Sequence, residues 1–149
     1  MSDEPPASPL SLATLSLLLP LLVAFGLTPS QQARLLGLSV SALRRAHSRR
    51  LPASLSWAQQ DRLRLSAEIV AALFTLYSDQ TASKWFHRPN RRPPFHGQPP
   101  LSFILDGGQP ALLATHRLLT GDLSGQFSAS PEARAQANTL PQSDFDLGE

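Results

Sequence analysis

Four arginines, Arg44, Arg45, Arg49 and Arg50, stand close together in a chain whose formal net charge is only +2. Guanidinium groups at this density attract polyanions, because each can fork two hydrogen bonds onto a phosphate or a carboxylate. Between residues 34 and 92 the acids are Asp61, Glu68 and Asp79 against eleven bases, whereas beyond Arg117 five acids face a single base, Arg134. The basic middle suits an anionic polymer, and the acidic end suits a basic partner or none. Other chemistries find little to work with. The absence of cysteine rules out disulfides, thiolate zinc sites and cysteine nucleophiles, and suits a reducing, cytoplasmic setting. His47, His87, His96 and His116 match no i, i+4 pair or finger spacing, and no carboxylate falls in register with them, so no metal is expected. The run from Gly37 through Ser39 to Ser41 lacks the last glycine of a nucleophile elbow. Asp61, Glu68, Asp79 and Asp106 are too scattered for acid–base work. The pattern points to a binding protein with no catalytic residue and no cofactor.

The arginines need a helix to hold them. Thr28-Pro29 reads as a hydroxyl N-cap with proline in the first turn, predicting a helix over 29–36. Gly37 supplies a turn with positive φ, and Ser39 caps a second helix from Val40 to about His47. Ala33 is small enough for a close crossing, and Leu36, Leu38, Leu43 and Ala46 fill the space between the helices; Gln32 stands where an apolar residue is commoner. This spacing is that of a helix-turn-helix, whose second helix enters the major groove of DNA. Ser39, Ser41, Ala42, Arg44 and Arg45 then face the duplex, with His47, Arg49 and Arg50 placed for phosphates. A plain helical hairpin with solvated arginines is the alternative reading.

Around this pair the expected architecture is all-α. Residues 1–8 form a proline-rich, acidic lead. Residues 9–53 hold an apolar N-terminal helix, broken or kinked at Pro20 and stopped by Gly26, followed by the helix-turn-helix. The run 10–27 is near the length of a membrane span, but Pro20, Ser11, Thr14 and Ser16 interrupt it and no flanking Lys, Arg, Trp or Tyr anchors it. Ser56 caps a long helix to about Tyr77, with Leu63, Val70, Leu73, Phe74 and Tyr77 on its inner face and Asp61, Arg62, Arg64 and Glu68 outside. Asp79 caps a helix over 80–87. The segment 88–99 has little regular structure, with Pro93-Pro94 extended. Pro100 starts a short helix carrying Leu101, Ile104 and Leu105, Gly107-Gly108 turns the chain, and a last helix runs from Pro110 to Gly121. Residues 122–149 read as an acidic tail without a core.

The order Trp85, Arg88-Pro89-Asn90, Gly97, Pro100-Leu101, Gly107-Gly108 and an apolar last helix over 112–119 resembles the toxin-binding domain of Xre/MbcA/ParS-type antitoxins. The resemblance covers 63–121 well and places the toxin-binding domain at 54–121. It implies an antitoxin that blocks a RES-domain toxin, an NAD-degrading enzyme, and that dimerises and represses its own operon by binding operator DNA. The partner-contacting positions it implies are Trp85, Arg88, Pro89, Asn90, Pro100, Leu101, Gly107 and Gly108. Arg91, Arg92 and Phe95 join them as arginine and aromatic anchors. Trp85 and Leu101 double as core candidates, and the glycines as backbone devices. The loop enriched in Arg91, Arg92, Pro93 and Pro94, and the tail beyond Asp122, both depart from the family pattern. The rival functions are a stand-alone DNA-binding regulator and a small membrane-anchored protein.

Overall fold

The computed structural model describes residues 7–128, with side chains as far as residue 125. The fold is all-α, as the periodicities require. Among the described residues six helices follow one another: α1 Pro9–Ala24, α2 Pro29–Leu36, α3 Val40–His47, α4 Trp57–Leu76, α5 Asp79–Lys84 and α6 Pro100–Ser128, with a 3-10 turn Trp85–His87 after α5. Two compact units divide inside α4, one running to Glu68 and the other from Ile69. The sequence break at Leu51-Pro52 lies before that division, ahead of α4.

In the first unit each helix starts on a capped end. Ser8, Thr28 and Ser39 accept the N–H groups of Ser11, Gln31 and Ala42, and Gln31 returns a bond to the Thr28 N–H in a full capping box. Each cap satisfies donors that the helix itself cannot, stabilising the end by about 1 kcal/mol. The expected bounds of α2 and α3 are those observed. Helix α1 is apolar all round. It buries Leu15, Leu18, Leu19 and Leu22 and leaves Leu10 and Leu17 more than 70% exposed. It runs on through Pro20 rather than breaking there: Pro20 and Ser16, whose carbonyl loses its bond, both lie on the exposed side. No helix among the described residues is long and apolar enough to cross a membrane.

The start of α4 is tied to its own unit by polar side chains. Ser56 caps it through the Gln59 N–H at 3.0 Å, and Ser11 donates to Gln60 Oε1 at 3.0 Å. Arg62, expected on the outer face, instead reaches the carbonyls of Arg34 and Leu35 at 3.0 and 3.4 Å, and Gln59 donates to the Gly37 carbonyl at 2.8 Å. These groups cap the C-terminus of α2, where a cation is favoured by the unpaired carbonyls.

In the second unit the core is Ile69, Val70, Leu73, Ala82, Trp85, Phe86, Phe95, Leu101, Ile104, Leu112 and Leu119. Phe74 lies 36% exposed at the edge of the inner stripe rather than within it, and Ile69 fills the buried position. The cap of α5 is Ser78, which accepts the Thr81 N–H; Asp79 sits one residue later, in the first turn. Helix α6 kinks at Gly108, whose φ of 68° and ψ of −147° are non-helical. It then continues past Gly121 to Ser128, so the first part of the expected tail, from Asp122, is helix. The remainder of that tail lies outside the described residues.

Candidate functional site

Two surfaces carry the residues singled out from the sequence, one in each unit. The first is α3 with the residues that follow it. Ser39, Ser41, Arg44, Arg45, His47, Arg49 and Arg50 are exposed and Ala42 is half-buried, while Leu43 and Ala46 turn inward. Ser39 spends its hydroxyl as the cap of α3. None of Arg44, Arg45, Arg49 and Arg50 pairs with an acid among the described residues. Four cations on one short helix end, without local neutralisation, make a positive surface whose field favours an anionic ligand.

What orients α3 is a buried polar contact that sequence patterning misses. Gln32 is only 1% exposed; its Nε2 donates to the Leu27 carbonyl at 2.8 Å, and its Oε1 meets His47 Nε2 at 2.8 Å. Since the amide nitrogen of Gln32 is occupied as donor, its oxygen accepts, and His47 Nε2 carries the proton. His47, expected to face phosphates, thus uses that nitrogen to fasten the end of α3 to α2. The departure at Gln32 was visible as a polar residue in an apolar register; its partner fifteen residues on was not.

The second surface is the loop 88–99 with its supports. Trp85 stacks edge to face on Phe86 and on Phe95, and Phe95 on Phe103, with ring centroids 5.6, 5.6 and 5.3 Å apart. The quadrupoles of the rings favour this perpendicular arrangement. Trp85, Asn90, Phe95, Pro100 and Leu101 are all buried in the folded chain. Asn90, grouped with the surface candidates, closes the loop instead. Its backbone carbonyl accepts the Gly97 N–H at 2.7 Å, its N–H donates to Gln98 at 3.3 Å, and its Oδ1 accepts the Arg92 N–H at 3.0 Å.

Pro93-Pro94, expected to be extended, lies in a turn with a cis peptide bond between the two prolines; the Phe95 and His96 N–H groups both donate to the Arg92 carbonyl there. Arg92 is half-buried and paired with Asp122, whose carboxylate holds the guanidinium above its ordinary value through hydrogen bonding and charge, against a smaller lowering by burial. Of the candidate residues the loop leaves Pro89 and Arg91 exposed, with Arg88 half-buried beside them. Gly107 is exposed and Gly108 half-buried at the kink of α6, and both serve the backbone there.

Near the N-termini of α1 and α4 an open groove of about 620 Å³ is lined by Leu10, Thr14, Trp57, Gln60, Arg64 and Ala67 among others, with Trp57 69% exposed. Arg64 on its rim is bridged by Asp61 at 2.8 Å and Glu68 at 3.4 Å. No three of His, Asp and Glu come together among the described residues in a way that could hold a metal ion. Comparison of the chain with family models, with curated proteins and with solved structures finds no match in any of the three.

Proposed function

We propose that this chain is a cytoplasmic antitoxin, without catalytic activity of its own, that binds and blocks a RES-domain NAD-degrading toxin and represses its own operon by binding DNA. The observation that carries the reading is the braced loop. A ladder of Trp85, Phe95 and Phe103 fixes a segment that exposes Pro89 and Arg91 and holds Arg88 half-buried beside them. A rigid, arginine-bearing surface of this kind binds a protein with little ordering cost, and interface energy concentrates on such anchors. The ordered array of Trp85, Arg88-Pro89-Asn90, Gly97, Pro100-Leu101 and Gly107-Gly108 supplies the partner's identity by resemblance. Self-association through the outward apolar face of α1, with Leu10 and Leu17, belongs to the same reading, since exposed apolar stripes of this size seek a cover.

The test is to mix the purified chain with a purified RES-domain enzyme encoded beside it and to follow NAD consumption. Inhibition that saturates at a fixed molar ratio, weakened by Arg88→Ala with Arg91→Ala, is the expected result. NAD consumption unchanged by excess chain overturns it. A stand-alone DNA-binding regulator is the second reading, favoured by the unpaired arginines of α3; it predicts duplex binding together with no effect on the enzyme.

A further inference from the structure

The three helices of the first unit that precede α4 end in the same way. After α1 the Leu27 N–H closes back on the Leu22 carbonyl at 3.1 Å, after α2 the Leu38 N–H on Ala33 at 2.9 Å, and after α3 the Arg50 N–H on Arg45 at 2.8 Å. Each closure needs the residue just before the donor in the left-handed region, and those residues are Gly26 at φ 81°, Gly37 at φ 70° and Arg49 at φ 66°. Glycine takes this conformation without steric conflict, which is why it dominates the position, whereas a Cβ is crowded there. The chain uses glycine twice and arginine once, at the one helix end that lies in the basic cluster. Arg49 is exposed, and no acid among the described residues pairs with it.

We infer that Arg49 occupies a glycine position because its guanidinium grips a phosphate of duplex DNA, at some cost to the stability of α3. The inference rests on the reading of α3 as a DNA-facing helix. With the N-terminal residues of α3 towards the bases, residues just past its far end lie over the sugar–phosphate backbone. The closure fixes the backbone on both sides of Arg49 through the Arg49 N–H to Ala46 bond at 3.0 Å and the Arg50 bond. Only side-chain torsions remain to be ordered on binding, so the contact forms at low entropic cost.

The experiment measures thermal unfolding and duplex binding across a salt series for the full chain, Arg49→Gly, Arg49→Lys, and the double variant Arg44→Ala with Arg45→Ala, using a short mixed-sequence DNA duplex. Arg49→Gly should unfold at a higher temperature, bind the duplex several-fold more weakly, and show a log–log salt slope shallower by about 0.9, the signature of one lost phosphate contact. Arg49→Lys should restore the slope without raising the unfolding temperature. If the full chain binds the duplex, the double variant weakens that binding, and Arg49→Gly leaves affinity and slope unchanged, the inference falls while the DNA reading stands. If the full chain shows no salt-dependent duplex binding at all, both fall. An Arg49→Gly variant that is no more stable than the full chain refutes the stability cost. One that loses binding to polyglutamate but not to DNA assigns Arg49 to an acidic protein partner instead.

Discussion

Arg92 and Asp122 form a two-pronged ion pair: the two terminal nitrogens of the guanidinium reach the two carboxylate oxygens at 2.8 and 3.0 Å. The pair joins the loop 88–99 to α6 across thirty residues of sequence, and its side chains are only 27% and 26% exposed. A parallel fork of this kind holds an orientation as well as a distance. Breaking it with Arg92→Ala or Asp122→Asn should cost about 1 kcal/mol after discounting for partial solvent screening. A double-mutant cycle by urea unfolding measures the coupling, and faster proteolytic cleavage within 88–99 should accompany either variant. The folded-state value of Arg92 is raised, so with Asp122 ionised its contribution is complete from neutral pH up to its ordinary alkaline range and is lost as pH climbs through the higher folded value. Stability attributable to Arg92 should therefore be flat across neutral pH.

His47 and Gln32 make the corresponding lock in the first unit. Truncating His47→Ala leaves the Gln32 oxygen buried without its donor, which should cost about 1–3 kcal/mol. Replacing both, with Gln32→Leu and His47→Leu, removes the orphaned amide oxygen but takes the donor from the Leu27 carbonyl, so it should recover only part of that loss. Guanidinium denaturation of the three variants checks the ordering; a double variant less stable than His47→Ala would refute it.

The contrast between these two locks shows what the sequence makes legible. Local signals resolved well, since Thr28-Pro29, Gly37 and Ser39 act through neighbours within about one helical turn, and the helices they bound stand where the pattern puts them. Burial by period also resolved the inner face of α3, where Leu43 and Ala46 turn inward. Contacts between distant polar residues did not resolve. Arg62 was placed outside because its helical register is polar, yet it caps α2; Asn90 was counted among the partner-contacting positions by resemblance, yet it lies buried and closes the loop from within. Gly121 was read as a helix stop, but α6 runs through it to Ser128. Of the candidate site residues, exposure alone sorts Arg44, Arg45, Arg49, Arg50, Pro89 and Arg91 from the buried Trp85, Phe95, Pro100 and Leu101. Exposure is a property of the folded chain, which spacing does not encode.

The glycines of α6 allow a matched test of backbone need. Gly108 holds a positive φ, and a Cβ on Gly107 would come within 2.5 Å of the Ala111 Cβ, closer than such atoms pack. Gly107→Ala and Gly108→Ala should each destabilise, by about 1–3 kcal/mol. Around Gly121 a Cβ meets nothing within 4 Å, and the residue lies exposed within the helix. Gly121→Ala should therefore stabilise by up to about 1 kcal/mol through helix propensity alone. Thermal unfolding that moved all three in one direction would contradict the assignment.

Trp85 separates packing from polarity in the aromatic ladder. It is 4% exposed, and its indole Nε1 has no hydrogen-bond partner among the described residues. Trp85→Ala should cost about 3–5 kcal/mol, because it removes the ring against which both Phe86 and Phe95 stand edge-on and leaves a cavity. Trp85→Phe keeps an aromatic edge for those contacts and eliminates a buried donor that gains nothing, so its cost should stay below about 1.5 kcal/mol despite the lost volume. If Trp85→Phe instead approached the alanine variant in urea unfolding, the indole nitrogen would have to be engaged in the folded protein. If it proved mild for folding yet abolished inhibition of the RES-domain enzyme, the loop's outward arginines would depend on the exact width of the indole beneath them.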